Sequence, residues 1–136
     1  IDSISHQVVS IFSKKKIETK IGGASKTISF KDPNLVEFIK MLVEKFEFSG
    51  PINVDFFYRH GVYYLSEINP SFGGGYLHAY GSGVDFPKLI ARNIDGFPND
   101  IKIGDYDEGT VMLMYDAVIM TTLDKIKQSN RMIDLR

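Results

Sequence analysis

The sequence predicts an α+β domain with a mainly antiparallel sheet and flanking helices. Two observations predict this fold class. Segments rich in β-branched and aromatic residues come in adjacent pairs joined by short turns, and the predicted element order is β-β-α-β-β-α-β followed by a terminal helix. The length of 136 residues suits a single domain spanning 1–136.

The first strand pair is expected between residues 8 and 30, interrupted at 22–25. Residues 1–7 look like the end of a strand followed by a turn. We therefore interpret them as part of a hairpin whose first strand is truncated at residue 1. We therefore expect the chain to be a fragment of a larger protein. Asp32-Pro33 then predicts a helix start, because Asp is a good N-cap and Pro suits the first helical position. An apolar stripe continues this helix to Phe46.

Two further strands, 52–58 and 62–69, are predicted to form a second hairpin. A glycine-rich loop follows at 71–75, then a short helical turn at 76–80 and a helix that is capped by Asp85 and runs to about Ile94. The acidic segment 95–108 is predicted to be an exposed loop. We expect a final strand over 110–120 and a terminal helix over 123–132.

Composition excludes several classes of protein. The formal net charge of −1 argues against a dedicated nucleic-acid binder, and no apolar run is long enough to span a membrane. The absence of cysteine excludes disulfides, a thiol nucleophile and thiolate zinc sites. A cytoplasmic location is the prediction that fits these observations best.

The first hairpin is strongly basic. Between residues 13 and 31 the only acidic residue is Glu18, against lysines 14, 15, 16, 20, 26 and 31. Such a run is most often an ordinary solvated face. Two other interpretations stay open: a surface for an anionic polymer, or a source of lysines that face a smaller anion.

The second hairpin carries the candidate chemistry. Because side chains alternate along a strand, Asn53 and Asp55 share one face, as do Glu67 and Asn69. A three-residue loop at 60–62 would place Asp55 directly opposite Glu67, and Asn53 opposite Asn69. A two-residue loop would instead place Asp55 opposite Ser66 and send the two carboxylates to opposite faces.

Two opposed carboxylates repel each other unless a cation lies between them or one is protonated. With the Asn69 amide, Asp55 and Glu67 would form an oxygen-only ligand set that suits Mg²⁺ or Mn²⁺. The alternative, a pair of acidic residues on a solvated sheet face, is equally compatible with the spacing.

These residues also carry a resemblance to a known family. Asp55, the run 67–70 (Glu-Ile-Asn-Pro), the glycine-rich loop and the run 83–85 (Gly-Val-Asp) resemble the C-terminal part of the ATP-grasp domain. The pattern looks most like proteins similar to the large subunit of carbamoyl-phosphate synthase. The likeness runs from about residue 8 to 96 and is weaker over 97–136.

The resemblance implies roles for these residues. Asp55, Glu67 and Asn69 would be metal ligands for Mg²⁺ or Mn²⁺ bound with ATP, and Lys16 and Lys20 would face phosphate or substrate. The implied activity is that of an ATP-dependent ligase, which converts a small-molecule carboxylate to an acyl phosphate for attack by an amine or similar nucleophile. No catalytic residue is assigned.

Two features qualify this prediction. The family usually has Arg where this chain has Ser71, so an inactive module that binds a ligand or partner is the alternative function. The lysines that hold the α- and β-phosphates precede residue 1 in relatives, so we expect the isolated fragment to bind ATP poorly and not to turn over. An exposed sheet edge would favour self-association of the fragment.

Overall fold

A computed structural model describes residues 1–20, 23–115, 118 and 120–128. Its elements, in chain order, are β1 (Lys14–Lys20), β2 (Gly23–Ser29), α1 (Pro33–Phe46), β3 (Asn53–Arg59), β4 (Val62–Asn69), α2 (Tyr76–Gly81), α3 (Phe86–Ile94), β5 (Val111–Leu113) and α4 (Leu123–Gln128).

The strands form two antiparallel sheets. One sheet has the strand order β1-β2-β5, and the other is the hairpin of β3 and β4. Helices flank both sheets, so the predicted α+β class with antiparallel pairing is confirmed.

Two predicted strands are shorter than expected. Residues 8–13 form no strand, because this segment packs Val8 and Ile11 against the core instead of joining a ladder. The last strand covers only 111–113 of the predicted 110–120, and it pairs with residues 26–28 of β2. Residues 116, 117 and 119 of that prediction, and 129–132 of the predicted terminal helix, lie outside the described residues.

Helix α1 begins as the sequence predicts. The Asp32 side chain accepts a hydrogen bond from the Asn34 backbone amide, and Pro33 occupies the first turn. The apolar stripe of α1 buries Leu35, Ile39 and Val43. This cluster packs against the β3–β4 hairpin, which thereby has one face covered by the helix.

A second apolar cluster lies beside α2. It contains Ala79, Val84 and Tyr106, with the Phe12 ring in edge-to-face contact with Tyr106 at 5.0 Å between centroids. The segment 95–108 has no helix or strand and is largely exposed, as predicted, but Tyr106 turns inward. Its hydroxyl donates to the Phe30 carbonyl oxygen at 2.6 Å, so this residue fixes the loop against the first sheet.

The N-terminal residues are tied to the far end of α3. The buried Asp2 carboxylate accepts hydrogen bonds from the side-chain amides of Asn93 and Asn99, at 2.8 and 3.0 Å. These bonds, with others from nearby backbone amides, hold the pKa of Asp2 well below its usual range despite the opposing effect of burial. Within the described residues, no helix has the length and apolar character needed to cross a membrane.

Candidate functional site

The turn between β3 and β4 has two residues, His60 and Gly61. Both adopt left-handed backbone conformations, with φ of 51° and 80°, which is the geometry of the tight turns that join twisted hairpin strands. The predicted three-residue loop is therefore wrong. Taken alone, this turn would place Asp55 opposite Ser66.

A β-bulge corrects the register. Phe56 pairs with Leu65 while Asp55 pairs with Glu67, so Ser66 is an extra residue on β4. The bulge restores the predicted opposition of Asp55 to Glu67. Two residues farther along the strands, Asn53 pairs with Asn69. Directly opposed residues in antiparallel strands have Cβ atoms roughly 4.5–5.5 Å apart.

The carboxylates lie on the hairpin face that α1 leaves open. Val54 and Phe56 pack against the α1 cluster, so alternation directs Asn53 and Asp55 away from it. Glu67 is exposed, whereas Asp55 and Asn69 are half-buried. Two of the three predicted metal ligands are thus directly opposed, and the third lies two residues farther along the same strand.

Lysines from the first sheet reach this face. The Lys16 ammonium lies 2.6 Å from Oδ2 of Asp55. Lys14, two residues earlier on β1, donates from Nζ to the Gly75 carbonyl oxygen at 3.0 Å. The structure therefore brings the predicted Lys16 and Asp55 together. The side chain of the predicted Lys20 lies outside the described residues.

Sequence analysis did not select Lys14, although it lies two positions before Lys16 on the same strand. Side-chain alternation along β1 was the signal that could have found it. Burial lowers the pKa of Lys14, the Asp55 carboxylate opposes that shift, and the neighbouring Lys16 ammonium adds to it. Lys14, Lys16 and Asp55 are therefore electrostatically coupled.

The glycine-rich loop packs closely on the same face. A Cβ atom added at Gly73 would lie 2.8 Å from Oδ1 of Asn53, which is too close for any real contact. Gly75 lies beside the Lys14 ammonium. These two glycines let the loop backbone approach the hairpin and β1, which explains why glycine rather than a larger residue occupies these positions.

His78 is the second residue that sequence analysis did not place. It lies in α2 with only 2% of its surface exposed. Its two ring nitrogens lie 2.7 Å from Oγ1 of Thr27 and 2.8 Å from the Thr110 carbonyl oxygen. Thr27 is the cross-strand partner of Lys16, so His78 supports β2, which pairs with the strand that carries the two lysines.

A cleft of about 840 Å³ lies beside these groups, and its lining includes Lys14, Lys16, Asn53, Asp55, Gly73 and Gly75. Phe72 from the glycine-rich loop also lines it. Its volume falls within the range of small-molecule binding sites. The cleft can accept an anion at the lysines and a cation at the carboxylates.

The donor atoms fit a hard divalent cation. Asp55, Glu67 and Asn69 offer only oxygen ligands, and Asp55 already holds a cationic group, the Lys16 ammonium. Among the described residues, no group of three or more His, Cys, Asp or Glu side chains converges. Mg²⁺ typically takes only one or two protein carboxylates and completes its coordination with water and phosphate oxygens.

Paired sheets around a cleft, with lysines facing carboxylates, are typical of a domain that binds an anion together with a metal ion. The chain belongs to the ATP-grasp superfamily, because the family described as "ATP-grasp in the biosynthetic pathway with Ter operon" matches residues 3–114. ATP-grasp domains generally bind ATP and Mg²⁺ and are generally ligases. No curated protein matches the chain.

Proposed function

We propose that this chain supplies the metal- and phosphate-binding half of an ATP-grasp ligase. Asp55, Glu67 and Asn69 would hold the magnesium ions that accompany ATP, and Lys16 and Lys20 would face phosphate or substrate. The type of ligase that we propose resembles carbamoyl-phosphate synthase, which activates a carboxylate for attack by an amine or similar nucleophile.

The observation that carries the proposal is the opposition of Asp55 to Glu67 on the open face of the hairpin, where Asp55 contacts Lys16 and borders the same cleft as Lys14. An isolated surface pair of carboxylates would need neither the bulge that aligns it nor the lysines that face it. Both features are expected where a metal–triphosphate complex binds, since the metal needs oxygen ligands and the phosphates need positive charge.

The reaction would proceed in two steps. A carboxylate oxygen of the substrate attacks the γ-phosphorus of ATP, the bond from that phosphorus to the bridging oxygen breaks, and ADP leaves with the electron pair. The amine nitrogen then attacks the acyl carbon and loses a proton, and inorganic phosphate leaves. Lys16 and the half-buried Lys14 would neutralise charge on the transferred group, since phosphoryl transfer depends mainly on positioning and electrostatics.

When bound, the magnesium ions would neutralise the charge on the β- and γ-phosphate oxygens. The Asn69 carbonyl and the two carboxylates would fix where those ions bind. Gly73 would keep the glycine-rich loop close to Asn53 and to the phosphates.

The test is ADP release by the complete protein in the presence of ATP, Mg²⁺ and pooled carboxylates and amines. Glu67→Gln is expected to reduce the rate by at least about 100-fold, because a lost metal ligand removes charge neutralisation in the transition state. Glu37→Gln, on the exposed side of α1 where Glu37 pairs with Lys40, is the matched control and should retain the rate. Full activity in Glu67→Gln would refute the proposal.

A second candidate function is a non-catalytic ligand-binding module of the same family. Ser71 stands where relatives usually have Arg, and the ammonium of Lys16 already neutralises Asp55. ATP-dependent release of ADP with any pair of carboxylate and amine would exclude this alternative. Binding of Mn²⁺ and nucleotide without turnover under any condition would favour it.

A further inference from the structure

Lys16, which is expected to face phosphate, forms an ion pair with Asp55, which is expected to bind metal. Nζ of Lys16 lies 2.6 Å from Oδ2 of Asp55, and the two residues come from different sheets. A magnesium ion bound to Oδ2 would lie roughly 2.0–2.1 Å from that oxygen. The ammonium and the metal ion would then be near neighbours of like charge, so the two cations compete for this carboxylate.

The charges around the cleft strengthen this competition. Asp55 and Glu67 carry two negative charges, and Lys14 and Lys16 carry two positive charges, so these four groups are balanced without any ligand. A divalent cation that arrives alone adds uncompensated positive charge beside two ammonium groups. When a divalent cation binds together with a triphosphate, the phosphate oxygens supply negative charge that can pair with the displaced Lys16 ammonium.

The geometry allows Lys16 to move. Its side chain is 45% exposed and that of Asp55 is 32% exposed, and exposed ion pairs of this kind are weak. The flexible four-carbon stem of a lysine lets its ammonium change partners without movement of the strand. Lys14, in contrast, is half-buried and held by the Gly75 carbonyl.

We propose that Lys16 is an exchangeable counter-ion. It neutralises Asp55 in the absence of ligands and transfers to nucleotide phosphate when a metal ion takes its place on Asp55. This inference rests on the proposed function, because it requires Asp55 to be a metal ligand. Lys16 therefore opposes the binding of metal alone and favours the binding of metal with nucleotide, which makes the two ligands bind cooperatively.

The test measures Mn²⁺ binding to the complete protein from the loss of the electron paramagnetic resonance signal of free Mn²⁺. Titrations are made with Mn²⁺ alone and with Mn²⁺ plus adenylyl imidodiphosphate, a nucleotide that does not transfer its γ-phosphate. Lys16→Gln is expected to bind Mn²⁺ alone roughly two- to fivefold more tightly, the range that an exposed ion pair supports. The same variant is expected to bind Mn²⁺ with the nucleotide more weakly.

Two further variants control for charge and for folding. Lys15→Gln removes the same charge from the neighbouring position of β1, which also borders the cleft but has no ion-pair partner among the described residues. It should change neither titration by as much as Lys16→Gln. Lys16→Arg retains the charge and should keep the binding pattern of the parent.

The outcomes separate this inference from the proposed function. If Asp55→Asn loses Mn²⁺ binding but Lys16→Gln leaves the affinity for Mn²⁺ alone unchanged, the exchange is wrong and the metal site stands. If Lys16→Gln changes both titrations in the same direction, the exchange is also wrong. If Asp55→Asn binds Mn²⁺ as the parent does, the metal site and the exchange are both refuted.

Discussion

The Nδ1 atom of His78 lies 2.7 Å from Oγ1 of Thr27, and this contact ties helix α2 to the centre of the first sheet. The other ring nitrogen, Nε2, lies 2.8 Å from the Thr110 carbonyl oxygen. Since a carbonyl oxygen only accepts, Nε2 must carry the hydrogen, and Nδ1 of the neutral ring then accepts from the Thr27 hydroxyl. Both nitrogens of the neutral ring are satisfied in this arrangement.

This arrangement predicts that the protein loses stability in mild acid. Burial lowers the pKa of His78, the hydrogen bond with Thr110 opposes the shift, and the Lys14 charge adds to it. Below the unfolded-state pKa of about 6.5, the unfolded chain binds a proton that the folded protein does not. The free energy of unfolding should then fall by up to about 1.4 kcal/mol per pH unit, until the folded-state pKa is reached.

Urea denaturation between about pH 7.5 and 5.5 would measure this loss. His78→Gln should be less stable at neutral pH but should lose less stability on acidification than the parent. His60→Gln, in the exposed turn of the second hairpin, is the matched control and should keep the parent's pH dependence. A parent-like pH dependence in His78→Gln would contradict the prediction.

The bulge at Ser66 leads to a second prediction, for a deletion. Without Ser66, Leu65 would still oppose Phe56 and Glu67 would still oppose Asp55, because the remaining residues form a regular two-residue hairpin. We expect the deletion to change the free energy of unfolding by less than about 1.5 kcal/mol and to retain Mn²⁺ binding. A deletion of Tyr64 is the control: it would place Leu65 opposite Phe57 instead of Phe56 and should cost more stability. Loss of Mn²⁺ binding on deletion of Ser66 would mean that the bulge itself shapes the site.

The same bulge shows what the sequence could and could not predict. The opposition of Asp55 to Glu67 was predicted, but from a three-residue loop that the protein does not have. The observed two-residue turn shifts the register by one, and the bulge shifts it back. Side-chain alternation and turn composition can be read from neighbouring residues. No local pattern in the sequence indicates that Ser66 is an extra residue in its strand.

Helix α1 was predictable for a different reason. Its cap residue, its proline and its apolar stripe are all close together in the sequence, and each favours the same helix. The contact of Lys16 with Asp55 joins residues 39 positions apart, and that of Thr27 with His78 joins residues 51 positions apart. Such contacts depend on how the sheets pack, which local periodicity does not specify.

Gly73 gives a third prediction. In Gly73→Ala the new Cβ would lie 2.8 Å from Oδ1 and 3.0 Å from Cγ of Asn53, so either the loop or the Asn53 side chain must move. We expect a loss of about 1–3 kcal/mol in the free energy of unfolding and weaker binding of Mn²⁺ with nucleotide. Gly74→Ala is the matched control, because no atom lies within 4 Å of its added Cβ. Equal effects of the two substitutions on stability and on binding would show that close packing of the loop on Asn53 is unimportant.

The hydroxyl of Tyr63 provides the last prediction. It donates to Oδ2 of Asp32 at 2.6 Å, while Oδ1 of Asp32 caps helix α1 through the Asn34 amide at 2.9 Å. Tyr63→Phe leaves the ring in the core but removes the donor to this carboxylate. We expect a loss of about 1–2 kcal/mol in the free energy of unfolding at neutral pH, because hydrogen bonds to charged groups are stronger than neutral ones.

The pH dependence of Tyr63→Phe distinguishes this hydrogen bond from simple packing. The Tyr63 hydroxyl is the main cause that lowers the pKa of Asp32 in the folded protein. Stabilisation from a carboxylate whose folded pKa is lowered is present above its unfolded pKa of about 3.9 and is lost as the pH falls through the folded value. Urea denaturation at about pH 5 and pH 3 should therefore show a smaller acid loss in Tyr63→Phe than in the parent. Tyr64→Phe removes a hydroxyl from the exposed ring of the next residue in the strand, and its free energy of unfolding should match that of the parent at both pH values. If Tyr63→Phe also matched the parent at both pH values, the hydrogen bond from Tyr63 to Asp32 would not be stabilising.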